Sequence, residues 1–184
     1  MVLPMKRAAG DGKVHLQTLA IPLERDGFTR TLIRHLAGAL QDVVGLEEAS
    51  GFISMVGQRM GDEIGETYRA ALDLPRLDRD LVRDVCVDLK RRIQGDFYVV
   101  SEDEDRIVFG NRACPFGDKV LDRSALCMMT SNVFGTIAAN NLGYGRVVLK
   151  ATIANGAPEC RVVLYLARSA SGDAGVGREY VRSD

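Results

Sequence analysis

DFYVVSEDEDRIVFGN, Asp96 to Asn111, is where the periodicity of the chain changes. Phe97 to Ser101 and Arg106 to Gly110 are short runs rich in β-branched and aromatic residues, joined by an acidic turn. Two such runs around a polar turn predict a β-hairpin. Glu102 to Asp105 reads as its solvated tip, because the run is too short and lacks the glycine turn of a calcium loop.

Upstream of this hairpin the apolar residues recur at three and four positions, which is the period of a helix. In ERDGFTRTLIRHLAGALQDVVG, Phe28, Leu32, His35, Leu36, Ala39, Leu40 and Val43 define one face, predicted to be buried. Asp26 or Thr29 could cap this helix, and Gly45 stands where a C′ glycine belongs. In EEASGFISMVGQRMGDEIGETYRAAL, Phe52, Val56, Met60, Ile64 and Tyr68 form a stripe, with Gly57, Gly61 and Gly65 beside it. A glycine costs a helix interior about 0.5–1 kcal/mol relative to alanine, so three at a spacing of four imply close approach by something. Helix packing within one subunit, a dimer seam and a ligand floor remain open. Pro75 then breaks the chain, Asp78 can cap a third helix, and Leu81, Val82, Val85, Leu89 and Ile93 form its buried face. Cys86 lies beside that face and reads as a core cysteine.

Downstream, NRACPFGDKVLDRSALCMM, Asn111 to Met129, leads from the hairpin into a fourth helix, with Asp122 or Ser124 as its expected cap. RVVLKATI and CRVVLYLA then form a second hairpin around ANGAPE. The expected fold is α+β: a four-stranded antiparallel sheet made of two hairpins, packed with about four helices. Residues 1–15 read as a flexible leader, 16–168 as one domain, and 169–184, rich in glycine and serine, as a mobile tail.

The 184 residues are 46% hydrophobic, enough for a sizeable single core. A net charge of −1 offers no basic surplus for direct nucleic-acid binding. No apolar run approaches the roughly 20 residues that span a bilayer, and the N-terminal stretch lacks the apolar centre of a secretory signal. A cytoplasmic location is therefore expected, where thiols stay reduced.

The chemistry concentrates on three of the four cysteines. Cys114 leaves the first hairpin, Cys127 falls in the opening turns of the fourth helix, and Cys160 opens the last expected strand. If the hairpins pair, all three meet at one corner. Thiolates suit zinc and iron–sulfur clusters, and a helix N-terminus favours the ionised thiol. Pro115 and Gly117 supply the bend that a ligand-bearing knuckle needs. The spacings, with no Cys-x-x-Cys pair, leave inert core cysteines open. A fourth ligand could be Asp118, Asp122, Glu159, a histidine, water or a bound molecule. His35 reads as a core histidine, and Arg112 and Arg161 as surface charge. No nucleophile–base pair or phosphate loop is present, so a non-enzymatic role is expected.

IPLERDGF (Ile21–Phe28), LQDVVGLEEASGFISMVGQRMGDEI (Leu40–Ile64), DLKRRIQGDFYV (Asp88–Val99), NRACPFG (Asn111–Gly117), LCMMTSNVFGTIAANNLGYG (Leu126–Gly145) and CRVVLYL (Cys160–Leu166) together resemble the methanogen output domain family. Its overall plan is similar to that of vinyl-reductase-type small-molecule-binding domains, whose α+β sandwich dimerises. Some aromatic sensors of that type hold a structural zinc with three cysteines and a carboxylate. The CPF start at Cys114 and the twelve residues before Cys127 also resemble a motif of some iron–sulfur repressors, although Asn140 and Asn141 stand where a further cysteine would fall and no winged-helix unit is present. The resemblance implies a cytoplasmic, homodimeric sensory domain for signal transduction or transcription regulation, acting through a partner protein. It implies a metal or cofactor site at Cys114, Cys127 and Cys160, holding zinc or an iron–sulfur cluster. The alternatives are a small-molecule-binding module with structural cysteines, its pocket lined by Phe52, Met55, Met60 and Met129, and a thiolate enzyme using Cys127.

Overall fold

The structure, a computed structural model, describes residues 19–168 and 177–182. The leader expected at 1–15 lies outside them, as do 169–176 and 183–184 of the expected tail. Three helices come first: α1 (Arg25–Val44), α2 (Leu46–Leu72) and α3 (Arg79–Arg92). The hairpin of β1 (Phe97–Glu102) and β2 (Arg106–Asn111) follows, then α4 (Cys127–Leu142). The strands β3 (Tyr144–Ala151), β4 (Cys160–Tyr165) and β5 (Arg178–Val181) complete the fold.

The sheet has the order β1-β2-β4-β3-β5, with every neighbour antiparallel. The two hairpins join through β2 and β4, which places Asn111 opposite Cys160. The sheet thus has five strands, one more than expected. The extra strand, β5, lies inside the segment expected to be a mobile tail. Its anchor is Tyr180, whose hydroxyl lies 3.0 Å from Ser131 Oγ and whose ring covers Gly135 on α4. A Cβ at Gly135 would fall inside that ring, so only glycine lets the strand dock there.

Alternation along the strands separates two faces. Ile107, Phe109, Val147, Val162 and Leu164 face the main core, while Val108, Val148, Val163 and Tyr165 form a smaller cluster on the other side. Phe134 of α4 sits between Phe97 and Phe109, with ring centroids 5.4 and 5.3 Å away. α4 is buried from Ser131 to Ala139, because the sheet covers one side and α2 the other. Small polar residues of α4, Ser131, Asn132 and Thr136, are therefore buried alongside Val133, Phe134 and Ile137.

The glycines of α2 supply the close approach. A Cβ at Gly57 would lie 2.8 Å from Asn132 Cβ, and one at Gly61 would lie 2.8 Å from Thr136 Cβ. Gly65 faces Ile137. Of the three open readings, tight packing within one subunit is the one the structure shows. The apolar stripes of α1 and α2 behave differently from expectation. Phe28, Leu32, Leu36 and Val43 on α1, and Phe52, Val56 and Met60 on α2, are exposed, as is His35. The buried positions are instead Ala37 and Gly38 on α1 and Ala49, Ile53, Ser54 and the glycines on α2. Amphipathic period is present in both helices, but the small-residue face turns inward.

The cap of α1 is Glu24, whose carboxylate accepts from the Asp26 and Gly27 amides, and neither Asp26 nor Thr29 takes that place. Gly45 ends α1 with φ 86°, and Asp78 caps α3 through the Leu81 amide at 2.9 Å, both as predicted. Ile93 is the C-cap of α3 and is exposed, so the buried face of that helix ends at Lys90.

Candidate functional site

Cys114 follows β2 in a tight turn. Its carbonyl accepts from the Gly117 amide at 2.8 Å, and Gly117 has φ 58°, a left-handed conformation that glycine adopts without cost. Asp96 and Ala113 tie the turn to the start of β1 through an amide–carbonyl bond of 3.1 Å. Cys127 is the first residue of α4, entered through a short 3-10 turn at Ser124–Leu126. The expected caps Asp122 and Ser124 do not cap it. Cys160 opens β4. Its sulfur accepts from the Ile153 amide at 3.3 Å and from the Asn111 side-chain amide at 3.7 Å.

These three elements bring the cysteines together. Cys114, Cys127 and Cys160 all line one cavity of about 30 Å³, with Asn111, Thr130, Thr152 and an apolar wall that includes Phe97, Phe116 and Leu126. The nearby Phe116 amide lowers the Cys114 thiol pKa, and nearby Thr152 that of Cys127, each against a larger effect of burial. Thr152 is 8% exposed, and its hydroxyl has no hydrogen-bond partner among the described residues. It is a buried polar group facing the sulfurs with its bonding capacity unused.

Burial pushes the Cys114 thiol up, and pushes Cys127 up to about 12, with the Cys160 and Cys114 sulfurs adding repulsion at Cys127. The helix N-terminus therefore does not leave Cys127 as a thiolate, and the direction is opposite to that of a nucleophilic cysteine. Cys86 is fully buried in the main core and its thiol is raised further by that burial, in keeping with a structural role.

Sequence reasoning passed over Lys90. It is 4% exposed, donates to Thr130 Oγ1 at 2.8 Å, and lies 5.4 and 5.5 Å from the ring centroids of Phe97 and Phe134. Burial lowers its pKa to about 8, against the opposing pull of Cys114, Cys86, Cys127 and Cys160. A signal existed: Val82, Cys86 and Lys90 fall in one row of α3 at a spacing of four.

None of the expected carboxylate ligands lines the cavity. Glu159 is held by Tyr98 at 2.7 Å and by Arg161, and Asp118 pairs with Lys119 at 3.3 Å. Arg112 pairs with Asp96 and stacks on Tyr98, so both flanking arginines serve surface ion pairs. Among the described residues, no three His, Cys, Asp or Glu side chains stand grouped to hold a metal ion. The alternative pocket of Phe52, Met55, Met60 and Met129 does not form, since the first three are exposed and Met129 lies against Gly57. No helix among the described residues is long and apolar enough to cross a membrane.

Fold and site define a class: α+β folds in which a buried helix lies between an antiparallel sheet and outer helices, here with a small cavity where helix, hairpin and sheet meet. The chain belongs to the methanogen output domain 1 family, whose model matches residues 32–165. The phenol-responsive sensory domain of the transcription activator PoxR, solved with phenol, has a similar fold: TM-score 0.55 at 16% identity, covering 79% of this chain and 76% of that one. A trafficking protein particle complex subunit 3 from Naegleria fowleri, covalently bound to palmitic acid, is similar at TM-score 0.53 and 13% identity, covering 85% of this chain and 99% of that one. No curated protein matches the chain significantly.

Proposed function

We propose that this protein is a non-enzymatic sensory domain that binds one soft metal ion through Cys114, Cys127 and Cys160 and passes its occupancy to a signalling or transcription-regulating partner. The observation that carries this reading is the convergence of three sulfurs on one small cavity, where Cys160 Sγ accepts from the Ile153 and Asn111 amides. Donors to sulfur are the outer shell that thiolate metal sites use. The family's description as an output domain, and the sensory role of the structurally similar PoxR domain, support a regulatory role.

Cavity size favours a single ion, such as zinc, over an iron–sulfur cluster or an organic ligand. At about 30 Å³ it is roughly a tenth of the smallest usual small-molecule pocket. Because the sulfurs are not grouped for coordination as they stand, Cys114, Cys127 and Cys160 would have to draw together to hold an ion. That movement is the switch: occupancy selects one packing of α4 against the sheet. Thr152 or water would complete the coordination. The exposed apolar rows of α1 and α2 support a homodimer, since monomers rarely leave so many large apolar side chains in water.

The test is anaerobic purification followed by metal analysis and absorption spectroscopy of wild type and the three cysteine-to-serine variants. One equivalent of a thiophilic metal is expected, lost in each variant. A colourless, metal-free protein whose stability ignores chelators and all three substitutions would sink the metal reading.

A further inference from the structure

We propose that the groove between α2 and α3 binds a small organic carboxylate with a compact apolar body. The inference stands apart from the metal reading, and the groove shares no lining residue with the cysteine cavity. α2 and α3 each pack on α4 and scarcely touch one another, which leaves a cleft of about 340 Å³ between them. That volume lies in the usual range of small-molecule sites, roughly 300–1,000 Å³. α2 lines it with Ile64, Tyr68 and Ala71, and the end of α3 with Leu89, Arg92 and Ile93. Residues three and four apart share one face of a helix, so the two helices present one face each to the groove. Its floor is apolar: Leu89 is buried, and Ile64 and Tyr68 pack on the main core behind it. Ile93, which the helical period assigns to the buried face of α3, stands 51% exposed and forms a wall of the groove. An apolar ligand body would cover it and the floor together.

The polar groups fix the sign of the ligand. Thr67, also in the lining, gives its hydroxyl proton to the Glu63 carbonyl at 2.8 Å, and Tyr68 donates to Asp88 at 2.6 Å. Asp88 accepts as well from Arg91 and, at 2.6 Å, from Arg92 Nε. Two arginines against this one carboxylate leave the rim with one positive charge in excess. The Arg92 side chain remains 70% exposed, so the outer edge of its guanidinium is open to a ligand. With the Thr67 and Tyr68 protons already given away, the donor left at the groove is a cation. Its complement is an anion, and a carboxylate can lie along the guanidinium while its apolar body covers Leu89 and Ile93.

Fluorine NMR of para-trifluoromethylphenylacetate with the full chain reads the site, with the corresponding neutral amide as its control. The acid should bind saturably at one equivalent, with a dissociation constant of about 1 mM or below, as ordinary ligand efficiency gives a molecule of this size. The amide should bind wild type about fivefold more weakly, and the acid should lose the same factor with Arg92→Gln, since each change removes the ion pair. Ala71→Trp, at an exposed position, should fill the groove and abolish binding. Arg92 is exposed too, so Arg92→Gln keeps the test sound however Ala71→Trp folds. No saturable binding, equal affinity for acid and amide, or wild-type affinity in Arg92→Gln overturns the proposal. So does a change of mass by light scattering in Ala71→Trp, which would make the groove a contact between copies of the chain. None of these outcomes touches the metal reading, whose own test is metal content.

Discussion

At the residue scale, one corner of the molecule holds an unusual concentration of groups displaced from their ordinary ionisation. Cys86, Cys114 and Cys127 all have their thiols raised, first by burial. In the unfolded chain they would ionise near the ordinary thiol value of about 8.5. A raised folded pKa gives stability that is fully present below the unfolded value and is lost as pH rises toward the folded one. Lys90 works the other way: lowered to about 8, it returns part of that stability as pH rises toward its ordinary value of about 10.4. Three thiols outweigh one amine, so the reduced protein should become less stable between about pH 7.5 and 9.5. Urea denaturation at the two pH values measures this, and an unchanged or rising midpoint would contradict it. Asn141 makes a second residue-scale case. Its Oδ1 accepts from the Leu77 amide at 2.9 Å and its Nδ2 donates to the Ile137 carbonyl at 2.8 Å, both buried. Asn141→Ala strands a buried amide and should cost about 1–3 kcal/mol by chemical denaturation; a loss below a few tenths would show that water reaches Leu77. The three cysteines were legible in the sequence because hairpin pairing fixes where β2 and β4 start and end. Lys90 was not, because a lysine at the edge of an amphipathic stripe is ordinarily solvated, and only the depth of α3 against Phe97 buries it.

At the scale of elements, the contact between α2 and α4 carries the helical layer. Gly57 and Gly61 are there because α4 leaves no room for a Cβ, whereas Gly51 on the same helix has nothing within 4 Å of where one would go. Two alanine substitutions in one helix should then have opposite signs. Gly51→Ala should stabilise by about 0.5–1 kcal/mol, the ordinary helix gain. Gly61→Ala must push Thr136 and the Val133 backbone aside, and overpacking of this kind costs about 1–3 kcal/mol. Thermal melts of the two variants decide it, and equal shifts would mean that α2 is free to slide. The period of α2 made the glycine face visible as a place of close approach. It could not show that the larger apolar row points outward, because a hydrophobic stripe records that a face is covered without saying by what. β5 was hidden for another reason: four residues after a glycine- and serine-rich stretch carry too little pattern, and what fixes them is Tyr180 on Gly135, a contact between distant segments.

For the whole molecule, the rows left outside are the feature that demands an explanation. Phe28, Leu32 and Leu36 on α1, and Phe52, Met55 and Val56 on α2, are each between 46% and 62% exposed. The two helices pack against each other on the outer side of α4, away from the sheet. A two-fold interface needs the same patch on both copies, and roughly 800 Å² from each partner is the usual size of a stable contact. Six large apolar side chains on adjacent helices supply the centre of such a patch, while the cysteine corner lies behind the opposite, inner side of these helices, where Ala37 and Ile53 cluster with Cys114 and Cys127. Association and site occupancy should therefore be separable by mutation. Light scattering of wild type should give twice the 20.1 kDa of one chain. Leu36→Glu combined with Val56→Glu should give the single-chain mass, because two carboxylates per copy would be buried without partners. The double variant should retain its helical signal, since both side chains are at least half exposed. A wild-type protein that stays at the mass of one chain at all concentrations would reassign this face to the partner that reads the signal. A double variant that remains dimeric would place the seam on another surface.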